Sequence, residues 1–191
     1  MKKVLLIAVC LFTVLIINAQ NSKPKEYTTP QFSLGLGSGI NNYTSALGLS
    51  GNLKVAEKFF LQGGVGVGAW GSKYSVGIRY DLHQGSGWSY GFGYSQCSGA
   101  KNMDLTFNNN GTTETYKLDL LEASTINLKA TRNWMVGKST MLYIDLGYAV
   151  PLQSEPWHVT SGPSMSDLGK TTLNLMSPGG IIVGTGITFG L

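Results

Sequence analysis

The sequence predicts an all-β fold, an eight-stranded antiparallel up-and-down barrel. Three observations predict it. From residue 32 onward, segments of about ten residues alternate apolar with small or polar side chains, the period at which a strand shows its two faces. Glycine supplies 26 of the 191 residues, with no collagen period and no low-complexity run, a density that suits tightly curved strands. Beyond residue 19 no apolar run approaches the roughly 20 residues of a membrane-spanning helix. An apolar share of 42% argues against a disordered chain.

The N-terminus reads as an export signal. Lys2 and Lys3 give a basic start, residues 4–17 an apolar run, and Ala19 a small residue before the cut. Residues 1–19 are then removed, residues 20–30 form a polar periplasmic lead-in, and residues 31–191 form the barrel. Loss of Lys2 and Lys3 leaves 12 basic against 10 acidic residues, a net charge of +2. No nucleic-acid partner is expected from that balance. Cys10 leaves with the signal, so Cys97 stands alone and the mature chain forms no intramolecular disulfide.

The strands follow in order. Phe32, Leu34, Leu36 and Ile40 alternate with Ser33, Gly35, Gly37 and Gly39, and Asn41-Asn42-Tyr43 turns the chain. Leu47, Leu49, Leu53 and Val55 form the second greasy series. Phe59, Leu61, Val65 and Val67 form the third, after a charged turn at 55–58. Residues 71–73 turn into a fourth strand carrying Tyr74, Val76, Ile78 and Tyr80, and residues 83–87 turn again. The fifth sets Trp88, Tyr90, Phe92 and Tyr94 against glycines and serines. A long polar loop is expected at 99–112. The sixth strand, from Tyr116 to Ala130, is untidy because Glu122 falls on its greasy series, so its first part is expected to protrude or bulge. After a turn at 132–139, Leu142, Ile144, Leu146, Tyr148 and Val150 make the seventh. The longest loop, 151–178, precedes the closing strand.

Alternation alone does not say which face is inside. A soluble ligand-carrying barrel turns its greasy face inward. Here the greasy series holds nearly all the Leu, Ile, Val, Phe and Tyr. An eight-strand interior is only wide enough to be filled by side chains, and the small, glycine-rich series is the one that fits it. The greasy series therefore faces lipid, and the fold class becomes an eight-stranded antiparallel transmembrane β-barrel. With both ends in the periplasm, the long loops fall on the outer side, as such barrels require.

The last residues carry a resemblance. Gly186, Phe189 and Leu191, with the chain stopping on its greasy series, resemble the C-terminal insertion signal of small outer-membrane β-barrel proteins of Gram-negative bacteria. The polar residue that family carries upstream of the glycine is replaced here by Gly184. The resemblance implies an outer-membrane location, outer-membrane lipid around the barrel and assembly by the barrel-insertion machinery. It names no substrate.

The search for chemistry finds no enzyme signature, no cofactor and no metal. His83 and His158 are expected at opposite ends of the barrel. Gly169-Lys170-Thr171 ends like a phosphate loop, but Ser164 stands where its first glycine belongs. His158, Ser161, Ser164 and Asp167 share one loop and are the residues a lipid-modifying enzyme would use. The inward series is more informative. Gln62, Arg79, Asp81, Lys129, Tyr143 and Asp145 fall in its periplasmic half and are expected to form a polar plug, with Lys129 paired to Asp145 because buried charges need partners. The outer half is lined by glycines and needs a filler. Loop 151–178, tucking in Trp157, is the expected one, and a small apolar or lipid-like ligand is the alternative. The function expected is a non-enzymatic envelope or surface role, with a surface partner met through residues 99–112 and 151–179; the alternative is binding or passage of a small apolar or lipid-like molecule through the barrel, and a more distant one is an outer-membrane lipid-modifying enzyme.

Overall fold

Alternation along the chain becomes a ring of strands that closes on itself. A computed structural model of the protein describes residues 30–83, 85–109, 112–136, 138–161 and 165–191. The expected signal and most of the lead-in lie outside the described residues. Eight strands make the barrel: β1 (Phe32–Ile40), β2 (Leu47–Lys54), β3 (Phe59–Gly68), β4 (Gly71–Asp81), β5 (Gly87–Cys97), β8 (Ala123–Met135), β9 (Thr140–Pro151) and β11 (Gly180–Gly190). All neighbours are antiparallel, and β11 closes the ring on β1, from Ser33 opposite Gly190 to Ile40 opposite Val183. Leu191 adds a last ladder bond, its N–H donating to the Phe32 carbonyl at 2.9 Å.

The orientation of the two faces is the one the pattern demands. Leu36, Leu49, Val65, Val76, Ile78, Phe92, Leu128, Leu146 and Val183 stand exposed on the outside of successive strands. Ser33, Asn52, Gln62, Arg79, Ser95, Asn127 and Asp145 stand buried within. An aromatic band rings one end: Phe59 packs on Tyr80 with ring centroids 5.1 Å apart, and Tyr80 lies opposite Tyr90. That end holds the short turns and both ends of the barrel's chain, and is called the turn end. The other is the cap end.

The cap is where structure and sequence part. The polar loop expected at 99–112 is largely strand β6 (Ala100–Asn109), paired with β7 (Thr112–Leu120). The expected sixth strand is two elements: its first part, β7, leaves the barrel, in line with the protrusion expected there, and only β8 belongs to the ring. They separate at Leu121 and Glu122, where Gln96 Nε2 donates to Glu122 at 3.1 Å and the Leu121 N–H to the Pro156 carbonyl. Loop 151–178 is no featureless loop either. It holds β10 (Trp157–Ser161), which joins β7 to complete a three-stranded sheet, and a helix, α1 (Asp167–Met176). Ser166 caps α1, its hydroxyl accepting from the Gly169 N–H, and Asp167 sits favourably in the first turn. Gly169-Lys170-Thr171 is thus helix interior, not a phosphate loop. Two turns also move: the chain reverses at residues 69–70 rather than 71–73, and β8 runs on to Met135, which shortens the turn expected at 132–139.

The cap has its own small core. Trp70, Cys97, Tyr116, Leu118, Leu120, Ala123 and Leu173 bury one another, with Met103, Leu105, Trp157, Val159 and Met165 against them. Alternation on β7 explains this: Tyr116, Leu118 and Leu120 face the core, while Thr115, Lys117 and Asp119 face away. Trp70 pins the cap to the barrel rim by donating from its indole N–H to the Leu121 carbonyl at 2.9 Å.

Candidate functional site

The lumen is built from the inward-facing positions of all eight strands. Near the turn end, β1 to β4 carry one continuous polar chain. Asn52 Nδ2 donates to Ser33 Oγ at 3.1 Å, and Gln62 Nε2 to Asn52 Oδ1 at 2.7 Å. Arg79 pairs with Asp81 through Nε at 2.7 Å and Nη2 at 3.3 Å, and reaches Asn52 Oδ1 with Nη1. Its guanidinium lies 4.5 Å from the Phe60 ring centroid. On the opposite wall Lys129 Nζ pairs with Asp145 Oδ2 at 3.1 Å, and Thr131 donates to Asp145 Oδ1 at 2.5 Å. Asn133 donates to Ser89 at 2.6 Å. Arg79, Asp81, Lys129 and Asp145 each have an opposite charge beside them, the condition under which burial is tolerated.

All six residues expected in the polar plug, Gln62, Arg79, Asp81, Lys129, Tyr143 and Asp145, are therefore buried in the lumen. They do not form one cluster. Arg79 with Asp81 and Lys129 with Asp145 belong to different walls, and two tyrosines reach between them. Tyr143 leans from β9 across Gly186 and Gly37, where any Cβ would overlap its hydroxyl. Tyr43 comes from outside the strands.

The filler of the glycine-lined half is the turn at residues 41–45, not loop 151–178. Asn42, Tyr43 and Thr44 are 1%, 4% and 1% exposed, because the turn folds into the barrel rather than away from it. The Tyr43 ring sits 4.3 Å from Lys129 Nζ, in a cation–π contact. Its hydroxyl presses on Gly77 and Gly93, which face each other across β4 and β5. Neither position has space for a Cβ, so glycine is required there to admit the ring. Asn42 occupies the space a Cβ on Gly184 would need, at 2.5–2.9 Å. Ser75 donates to the Tyr43 carbonyl at 3.3 Å and Lys73 to the Asn41 carbonyl at 3.0 Å. Trp157, the expected filler, instead donates to Asn174 on α1 at 3.2 Å and stays in the cap.

A cavity of about 20 Å³ lies between Tyr43, Thr44, Asn52, Gln62, Arg79, Lys129, Tyr143 and Asp145. That accommodates one or two waters. It does not accommodate the apolar ligand considered as an alternative filler. Within it Gln62 Oε1 finds no partner among the described residues.

No family model, curated protein or solved structure matches the chain.

The remaining sequence candidates fall elsewhere. His158 is exposed on β10 opposite Asp119, and Asp167 is exposed at the start of α1. No hydrogen bond joins His158 to Ser161 or Asp167 among the described residues, and Ser164 lies outside them. No cluster of potential metal ligands occurs among the described residues. Gly186 faces inward under Tyr143, while Phe189 and Leu191 are exposed on the outside. Sequence reasoning missed Asn41, Asn42, Tyr43, Thr44, Lys73 and the cap core. An aromatic residue inside a supposed turn, facing a bed of glycines, was the signal for the first group.

Proposed function

We propose that the chain is an integral outer-membrane β-barrel protein of a Gram-negative envelope, with a closed lumen and a non-enzymatic surface role carried by its cap. One observation supports it most: the apolar face of a closed barrel is turned outward on every strand. Soluble monomers rarely expose more than a few hundred Å² of contiguous apolar surface, whereas lipid requires such a belt. The belt is also tall enough. β4 and β5 have eleven residues each. At about 3.3 Å per residue and a tilt of about 40° they rise about 28 Å, against the roughly 25 Å apolar band of such barrels.

The inserted turn and the paired charges support a closed lumen. Gly186, Phe189 and Leu191 serve in this reading as the signal for the barrel-insertion machinery. The outer face of the cap, with Asn102, Asp104, Thr115, Lys117 and His158 exposed, is where a surface partner is met. Expression in a Gram-negative host with cell fractionation tests the reading. The mature chain is expected in the outer membrane, and it is expected to run at different apparent sizes on gels when boiled and unboiled. Recovery as a soluble periplasmic monomer would end it.

A further inference from the structure

We propose that residues 41–45 are a releasable plug, latched by Asn41 to the connector between the cap helix and β11, and that its withdrawal opens the lumen to small anions. This rests on the membrane-barrel reading and adds a gate to it.

The grip on the plug is uneven. Inside the lumen the wall offers the loop backbone two side-chain bonds, from Ser75 and Lys73. At the tip, Asn42 Oδ1 and Tyr43 Oη find no partner among the described residues although both are buried. At the rim the hold is stronger. Asn41 Nδ2 donates to the carbonyls of Gly179 and, at 3.2 Å, Ile181, and Asn41 Oδ1 accepts from the Gly179 N–H at 3.2 Å. Gly179 links the end of α1 to the start of β11. The first residue of the plug is therefore clasped to the connector between the cap helix and β11 and to β11 itself.

One loop end is held under strain. Ser45 lies in the left-handed region at φ 57°, which such a residue occupies only when its surroundings hold it there, whereas Asn41, at φ 55°, is of a type that adopts it readily. Releasing the clasp removes part of that hold.

What lies beneath decides the solute. The lower lumen has polar walls, and its Arg79 and Lys129 are matched by Asp81 and Asp145. Lys73 is not matched. It is 3% exposed, has no carboxylate within 4 Å among the described residues, and its bond goes to the Asn41 carbonyl, part of the plug. With the plug withdrawn, Lys73 is an uncompensated cation in the passage, and a cationic lining favours anions.

Planar-bilayer recording of the purified full-length mature protein in a KCl gradient tests this. The wild type is expected to be mostly silent, with brief openings. Asn41→Gly keeps the left-handed backbone and removes three hydrogen bonds. It is expected to raise the open fraction at least about tenfold, since even one net hydrogen bond shifts such an equilibrium severalfold. Tyr43→Ala is expected to conduct steadily with a chloride-selective reversal potential, and Lys73→Gln added to it to move that potential towards zero. Silence of Asn41→Gly beside a conducting Tyr43→Ala overturns the latch. Silence of both, in protein that still shows the heat-dependent gel shift, overturns the plug as the gate. Failure of the wild type to insert into lipid overturns the membrane reading and the gate with it.

Discussion

At the residue scale, two kinds of position hold the lumen, and they respond to substitution differently. Lys129→Ala leaves Asp145, 2% exposed, with only Thr131 as a side-chain partner among the described residues. It is expected to destabilise the barrel by about 3–5 kcal/mol, as broken buried pairs do. Lys129→Ala combined with Asp145→Ala is expected to cost clearly less than the two single changes together, because the pair is coupled. Urea unfolding in detergent measures both, and strict additivity would mean that the pair contributes nothing as a pair. Gly184→Ala acts through space alone, since its new Cβ meets only Asn42 among its nearest neighbours. It is expected to leave the barrel folded while raising proteolysis within residues 41–45. Unchanged cleavage would contradict the placement of Asn42. The charged positions were legible in the sequence, because alternation puts Lys129 and Asp145 on one face of what become neighbouring strands. The plug was not. Asn41-Asn42-Tyr43 has the composition of a turn and forms one, and composition does not say into which space a turn points.

At the element scale, barrel strands were read well and cap elements poorly, for a physical reason. The barrel strands alternate cleanly because one face stands exposed on the outside while the other is packed in the lumen. Of the cap strands only β10 is short, at five residues; they pack in a separate small core with Leu173 of the helix, and the Asn-rich stretch at 108–110 hid the Met103 and Leu105 series before it. α1 carried its own signals in Ser166, Asp167 and the Pro178 beyond its end, but ten residues inside a loop were too few to stand out. The cap is expected to melt separately from the barrel. Leu118→Ala opens the cap core and is expected to cost about 2–5 kcal/mol locally. Hydrogen exchange would then rise in β6, β7 and α1 and stay unchanged in β3 and β4. Uniform loss across the barrel would mean that the cap is not a unit of its own. The closing strand behaves oppositely. Deleting residues 189–191 removes the Phe189–Leu34 and Gly190–Ser33 pairs and the Leu191 ladder bond. A barrel in lipid tolerates no open edge, so the truncated chain is expected to be absent from membrane fractions, and normal membrane levels would contradict that.

At the scale of the whole molecule, the account rests on which face of the barrel meets lipid. β11 offers the cleanest contrast, because three branched aliphatic residues run consecutively along it. Ile181 and Val183 are exposed on the outside, while Ile182 between them is fully buried in the lumen. Methyl-labelled protein in lipid nanodiscs allows contacts between each methyl group and lipid acyl chains to be read from nuclear Overhauser effects, without any substitution. The account predicts acyl-chain contacts for Val183 and for Leu36, Leu49, Val76 and Leu128 around the ring, and none for Ile182. Acyl-chain contacts at Ile182, or their absence from the outward series, would contradict it.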